Sequence, residues 1–319
     1  MEKLPFFCSV VSGSASVNFW ADVDLYHFFT RRRFTDFYPA CSCQKELGSS
    51  SFSVKYRNEN SRSIKFSRNR KQVVVEYPWE MLQEGGTLFH LAYPLLESQH
   101  QKMGIVTTHC AAFSFEQKGY LLLGGQGAGK TSVLVEMCRK KNGKLISNNL
   151  CLVGGSNRDN IGIEGGNKPL WLRHESVIRS LPDLRHLFEA NSNNDSWSRR
   201  LTLLPEDLDI QVETQWVPLS GAFLLHIDES QNGLFVRREY GLDVTLMLNE
   251  NFSRYIRSTC TTVLGGDLYE MLTYLPPLDT ENLFTKRRSL INFLVNEVGI
   301  YYISGNLANV VSFIEEQIK

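Results

Sequence analysis

Between residues 119 and 149 the chain sets a short apolar run, a glycine cluster, a Lys-Thr pair and a helical apolar repeat one after another. Tyr120–Leu123 reads as a buried strand. Gly124, Gly125, Gly127 and Gly129 crowd the loop, and Val133, Leu134, Met137 and Cys138 recur at helical spacing. This is strand, glycine loop, helix. Gly124 to Thr131 fits G-x-x-x-x-G-K-[ST], in the context that motif requires. The loop's N–H groups would face inward as a nest for phosphate oxygens. The helix that follows turns its positive end to the same anion. Lys130 is the point charge for the terminal phosphates, and the Thr131 hydroxyl suits a magnesium ion. Gly124, Gly125, Gln126, Gly127, Ala128, Gly129, Lys130, Thr131 and Ser132 are therefore the candidate nucleotide-binding residues. A plain glycine turn would leave the Lys-Thr pair without a role.

The remaining sequence narrows the class. At 319 residues and 42% hydrophobic content the chain suffices for one large domain or two. Lys plus Arg and Asp plus Glu both total 34, so charge does not point to nucleic acid or membrane as the main partner. No run approaches the roughly 18 apolar residues of a spanning helix. The first residues lack a long apolar core and a cleavage site, so a cytoplasmic location is expected. The seven cysteines, Cys8, Cys41, Cys43, Cys110, Cys138, Cys151 and Cys260, read as free thiols. Cys41-Ser42-Cys43 has no partner pair at zinc spacing.

Residues 1–103 carry no chemical motif. Phe52–Tyr56, Ser63–Phe66 and Gln72–Tyr77 read as short strands and Leu88–Leu96 as a helix core interrupted by Pro94. An N-terminal α+β module is expected there. Lys55, Arg57, Arg62, Lys65, Arg68, Arg70 and Lys71, interleaved with Tyr56 and Phe66, have the composition of an RNA or acidic-substrate surface. A solvated hairpin face is the favoured reading, since no nucleic-acid motif accompanies them. Residues 104–319 form the expected second domain. A strand-like run at 104–113 and a turn at Glu116–Gly119 lead into the glycine loop. Leu145–Ser147 and Leu150–Val153 flank Asn148-Asn149, and Ala222–Ile227 and Ile300–Ile303 are further strands. Helical spacing marks 249–264 and 283–298, a helix is expected from about Glu175, and 191–200 is a polar loop. Leu307, Val310, Val311, Ile314 and Ile318 form a terminal stripe capped by Asn306.

Thr-His-Cys-Ala-Ala at 108–112, the hairpin, the glycine loop and Leu-Ile-Ser before a polar pair together resemble the HPr kinase/phosphorylase and PEP carboxykinase superfamily, and within it the small HPr-kinase-like branch. The specific motifs span about 108–166. The resemblance implies an α/β fold with a mixed, largely antiparallel sheet around the P-loop. It implies ATP and Mg2+ as cofactors, and phosphoryl transfer to a serine-like hydroxyl on a small molecule, peptide or protein. Assembly into an oligomer is compatible with it. His109 matches the histidine beside the phosphates. Glu164-Gly165-Gly166 resembles the carboxykinase Glu-Gly-Gly.

Asn148 and Asn149 stand where the family has Asp-Asp, at the metal. An amide cannot take the proton from an attacking hydroxyl, and phosphoryl transfer wants an acid to orient it. Either another acid, Glu164, Asp159 or Glu175, takes that role, or His109 is the base, or the site binds nucleotide without transferring phosphate. The expected reading is an ATP-dependent kinase with His109, Lys130 and Glu164 catalytic and Thr131, Asn148 and Asn149 at the metal. The alternatives are a degenerate nucleotide-binding regulator and ATP-dependent carboxylate activation. Arg173, Arg199 and Arg200 are candidate phosphate partners, and Trp171 and Trp197 candidate base-stacking residues.

Overall fold

The computed structural model describes residues 4–30, 38–50, 52–61, 63–82, 87–155, 160–189, 200–257 and 278–319. It divides into two compact units, residues 1–107 with 249–289, and residues 108–248 with 290–319. The cut read from sequence, after residue 103, leaves 249–289 in the later part of the chain.

In the first unit β1 (Phe6–Ser12), β2 (Ala15–Ala21), β3 (Cys41–Gln44), β4 (Ser53–Asn58), β5 (Ser63–Phe66) and β6 (Gln72–Tyr77) form one sheet, in the order β3-β1-β2-β4-β6-β5. The β2–β4 and β4–β6 pairs are parallel, and β1–β2, β1–β3 and β5–β6 antiparallel. Period-two alternation sets the faces. Val54, Tyr56, Val73, Val75 and Tyr77 turn inward, and Lys55, Arg57 and Glu76 turn the other way. Helices Leu25–Phe29 and Thr87–Lys102 pack on this sheet. Pro94 lies inside the second of them without ending it. Buried Leu91, Ala92, Leu95 and Leu96 hold that segment down.

The alternation also separates the basic stretch from one of its aromatics. Tyr56 is buried and donates its hydroxyl to Tyr77 O at 2.8 Å. Lys65 and Arg57 lie within 3.2 and 3.9 Å of Glu76. Arg62 is outside the described residues.

The second unit carries β7 (Ile105–His109), in which the chain enters it, then β8 (Ala111–Phe115), β9 (Lys118–Leu123), β10 (Lys144–Ser147), β11 (Leu150–Gly154) and β12 (Gly162–Gly166). A two-stranded ribbon, β13 (Leu170–Arg173) and β14 (Arg200–Leu203), follows, then β15 (Val217–Ile227), β16 (Phe235–Glu239) and β17 (Ile300–Gly305). The large sheet runs β10-β8-β9-β15-β12-β11-β7, with β17 also on β15 and β16 on β17. It is mixed. β15 is parallel to both β9 and β17, and the pairs β8–β9, β8–β10, β11–β12, β12–β15 and β16–β17 are antiparallel. Phe113, Tyr120, Leu122, Phe223, Leu225 and Ile303 form a core with the buried stripes of helices Lys130–Lys140 and Leu307–Ile318. Asn306 caps the latter, its Oδ1 accepting from Asn309 N at 2.9 Å.

Other elements differ in extent from the sequence reading. The helix expected from 249 begins earlier, at Leu242, and runs to Ser253. The last stretch divides into an α-helix Glu281–Phe293 and a π turn Leu294–Val298. The helix near Glu175 is short, His174–Ser180. Most of the polar loop 191–200, with Trp197 and Arg199, lies outside the described residues.

The β8–β9 hairpin turns on Glu116 and Gln117, whose φ angles are +47° and +62°. A tight right-twisted hairpin wants positive φ at both turn positions, and side-chain-bearing residues pay sterically for it. Gln117→Gly is expected to raise stability by about 1 kcal/mol, read as a higher urea midpoint at unchanged slope. A lower midpoint would mean that the glutamine side chain contributes contacts outweighing the strain.

Candidate active site

Parallel pairing sets the position of the site. β9 and β15 lie side by side in one direction, Leu123 opposite Leu224. Both strands therefore deliver their carboxyl ends to one edge, and helix Lys130–Lys140 begins there. Between them runs the glycine loop. Gly124 has φ +140°, and a Cβ on it would stand 2.8 Å from Ala128 Cβ. Gly129 has φ +90°, and a Cβ there would stand 2.1 Å from Ile227 Cγ1. Only glycine permits both the conformation and the approach. The loop is tied to β15 by Ile227 N donating to Ala128 O at 3.1 Å. No side chain caps the helix at Gly129, so its first N–H groups are left for an anion.

Lys130 folds back over the loop. Its Nζ donates to Gly124 O at 2.8 Å and Gly125 O at 2.9 Å. The residue is only 8% exposed, and burial pushes the ammonium pKa down. The Cys110 thiol lies near enough to oppose that shift. Gly125, Gln126 and Gly127 are exposed at the loop's crest, and Ser132 is buried beneath it.

The Thr131 hydroxyl donates to Asn148 Oδ1 at 2.9 Å. Asn148 is 4% exposed, and its Nδ2 donates to Pro169 O at 3.0 Å. Its backbone N–H reaches Asn167 O at 2.9 Å. Asn167 Oδ1 in turn accepts from Leu150 N at 2.6 Å. One amide of the expected pair is thus held against Thr131 by the turn into β11. Asn149 makes a different contact, its carbonyl accepting from Cys110 N at 3.0 Å. That bond brings the segment after His109 to the same turn. His109 itself is half-buried at the end of β7.

The other expected acids are spread out. Glu164 is half-buried on β12, beside the bulge opposite Leu152 and Val153. Gly166, two residues on, packs against Ser147. Glu175 pairs with Arg179 on its own helix at 2.6 Å, and Asp159 is outside the described residues. Arg173 and Arg200 face each other across the β13–β14 ribbon, which also carries Trp171. Among the described residues no three or more His, Cys, Asp or Glu gather as a metal cluster.

Sequence reasoning missed one acid that the fold brings to the loop. Asp228 follows Ile227, the residue that touches Ala128 and Gly129. Its backbone N–H donates to Gly305 O at 3.0 Å. Its carboxylate accepts from the Ser230 hydroxyl at 2.6 Å, Ser230 N at 3.0 Å and Gln231 Nε2 at 3.3 Å. The Ser230 hydroxyl and N–H, with Gln231 and nearby His226, hold its carboxyl below the usual range. His226 is exposed one residue before Ile227. The available signal was an apolar strand ending in an acid, Phe-Leu-Leu-His-Ile-Asp at 223–228.

No helix among the described residues is long and apolar enough to cross a membrane. No family model matches the chain, and no curated protein matches it. Among solved structures it is similar to an HPr(Ser) kinase/phosphatase from Coxiella burnetii, at 10% sequence identity. That match covers 66% of this chain and 93% of the other, with a TM-score of 0.31, a distant structural likeness.

Proposed function

We propose that this protein is an ATP-dependent phosphotransferase acting on a hydroxyl of a small molecule, peptide or protein. The observation that carries the reading is the glycine loop with Lys130 latched across its carbonyls at the uncapped start of a helix. An entering phosphate would draw the ammonium off those carbonyls and meet the loop N–H groups, as the P-loop arrangement needs. Thr131 Oγ1 and Asn148 Oδ1 are oxygen donors of the type magnesium takes, so the residues present fit that ion. Bound there, magnesium would neutralise charge on the terminal phosphates.

Loss of the expected acid pair leaves the acceptor's proton to another group. Asp228, ionised and one residue from the loop contact, is our choice, with His226 beside it. The acceptor oxygen bonds to the γ-phosphorus, the bond to ADP breaks, and the hydroxyl proton passes to Asp228 or His226. His109 and Glu164 then serve in positioning substrate around the Asn148 turn.

Incubation with MgATP and hydroxyl-bearing acceptors, followed by ADP release, tests this reading. Asp228→Asn is expected to lower turnover about 10²-fold, with the nucleotide Kd by calorimetry within about threefold of native. Absence of ATP binding by the native protein sinks the whole reading. Native turnover in Asp228→Asn removes Asp228 from it. A second reading is favoured by the Asn148 amide, fully engaged with Thr131 and Pro169. It is a nucleotide-binding regulator, and ATP bound but never consumed across acceptors and cell extract would establish it.

A further inference from the structure

A pair of thiols in the first unit stands apart from the glycine loop's chemistry. β3 is an edge strand, and its antiparallel register on β1 sets Val10 opposite Cys43 and Ser12 opposite Cys41. Side chains alternate between faces, so Cys8, two residues before Val10, shares the face of Cys43. There the Cys8 and Cys43 thiols are near enough for each to shift the other's pKa. Both are free thiols. Cys8 is 1% exposed, whereas Cys43 is half-exposed on the edge.

The two sulfurs are chemically unequal. The neighbouring Cys8 thiol holds the Cys43 thiol below the ordinary thiol range. The Gln44 N–H adds to this, against burial and the repulsion of Asp24. Cys8 is pushed up by Cys43, by burial and by Asp24. Asp24 itself lies 3.5 Å from His27. Cys41, the third thiol on this face, is held protonated by burial and by Cys43. An accessible edge-strand thiol of lowered pKa on the same face as a buried thiol of raised pKa is the arrangement of an oxidant-sensing cysteine and its resolving partner.

We propose that Cys43 and Cys8 form an oxidisable pair, Cys43 as the nucleophile toward hydroperoxides and Cys8 as the resolving thiol. The Cys43 thiolate attacks one peroxide oxygen, the O–O bond breaks, and hydroxide leaves to take up a proton as water. Cys43 is then a sulfenic acid. The Cys8 sulfur displaces its hydroxyl, an S–S bond forms, and the Cys8 proton departs with that oxygen as a second water. Two thiols are oxidised to a disulfide and one hydrogen peroxide is reduced to two waters. The bond links the edge strand β3 to β1.

The test uses the reduced full-length protein and hydrogen peroxide. No Lys or Arg separates Cys41 from Cys43, so peptide mapping is done in a Cys41→Ser background. A Cys8–Cys43 cross-linked peptide that dithiothreitol removes is expected. Cys8→Ser should trap the sulfenic acid as a dimedone adduct on Cys43. Cys43→Ser should slow peroxide consumption at least about tenfold. Consumption by Cys43→Ser within about twofold of native overturns the proposal. So does complete oxidation of the Cys41→Ser protein without the cross-link, a result that does not depend on how the Cys8 variant folds.

Discussion

Lys130→Ala is expected to reduce ATP turnover by about 10³-fold while leaving the protein folded. The two halves of that statement rest on different observations. Among the described residues Lys130 holds the one ammonium that reaches the Gly124 and Gly125 carbonyls, at 2.8 and 2.9 Å. A phosphate in the loop would take those donors over, and no alanine replaces them. Removing a preorganised charge from where negative charge develops costs about 10²–10³ in rate per donor. The fold should be nearly indifferent. The ammonium is desolvated where it stands, which burial's downward push on its pKa records. The two carbonyls it releases belong to a half-buried and an exposed glycine, so water can satisfy them. Lys130→Arg should fare little better in turnover, because a planar guanidinium does not fit a site shaped around a compact ammonium. Urea unfolding run beside ADP release separates the effects. A variant that stays folded and keeps more than about a tenth of native turnover would show that Lys130 does not meet the reacting phosphate.

The parts of the site legible in sequence were those fixed by neighbours in the chain. Glycines, Lys130 and Thr131 declare themselves locally because their backbone demands and charges are local, and strand and helix follow from periodicity. Asn148 came from the family resemblance, as the residue standing where that family has an aspartate, and the structure sets it against Thr131. Asn149 was paired with it by adjacency, yet its described contact is a backbone carbonyl to Cys110 N. Asp228 was not legible. It reaches the loop only because β15 pairs in parallel with β9, and pairing between distant strands leaves no local mark beyond an apolar run. Glu175 looked available in sequence, but a partner one helical turn away, Arg179, takes its charge. The same limit applies to the units. Nothing in the composition of 249–289 ties it to the first hundred residues, because the tie is made by side chains far apart in the chain, the stacked Tyr93 and Tyr255 rings and a network of buried polar groups.

Those side chains carry the largest stability effect expected of a single substitution in the first unit. The Arg287 side chain is wholly buried. It forks onto Asp279 with Nη1–Oδ1 at 2.9 Å and Nη2–Oδ2 at 2.7 Å, and donates to Gln101 Oε1 at 2.5 Å. Gln101 Nε2 continues the chain to Glu97 Oε1 at 2.6 Å and Phe252 O at 3.1 Å. Glu97 accepts the Thr107 N–H with both oxygens at 3.2 Å. One connected network thus joins helix Thr87–Lys102 to helix Glu281–Phe293 and to the end of helix Leu242–Ser253. Arg287→Ala removes the buried cation, leaves the Gln101 carbonyl without its donor, and leaves Asp279, four-fifths buried, with only the more exposed Arg257 guanidinium 3.8 Å away among the described residues. Breaking one partner of a buried pair costs about 3–5 kcal/mol, and we expect a loss of that size in urea unfolding. Arg287→Met with Asp279→Asn removes both charges while keeping most of the volume. It should recover a large part of the loss, since what destabilises is the stranded partner more than the absent bond. A single variant within about 1 kcal/mol of native would mean that water reaches Asp279 as readily as Arg287 does. The network would then be an exposed ion pair in its energetics, whatever its depth.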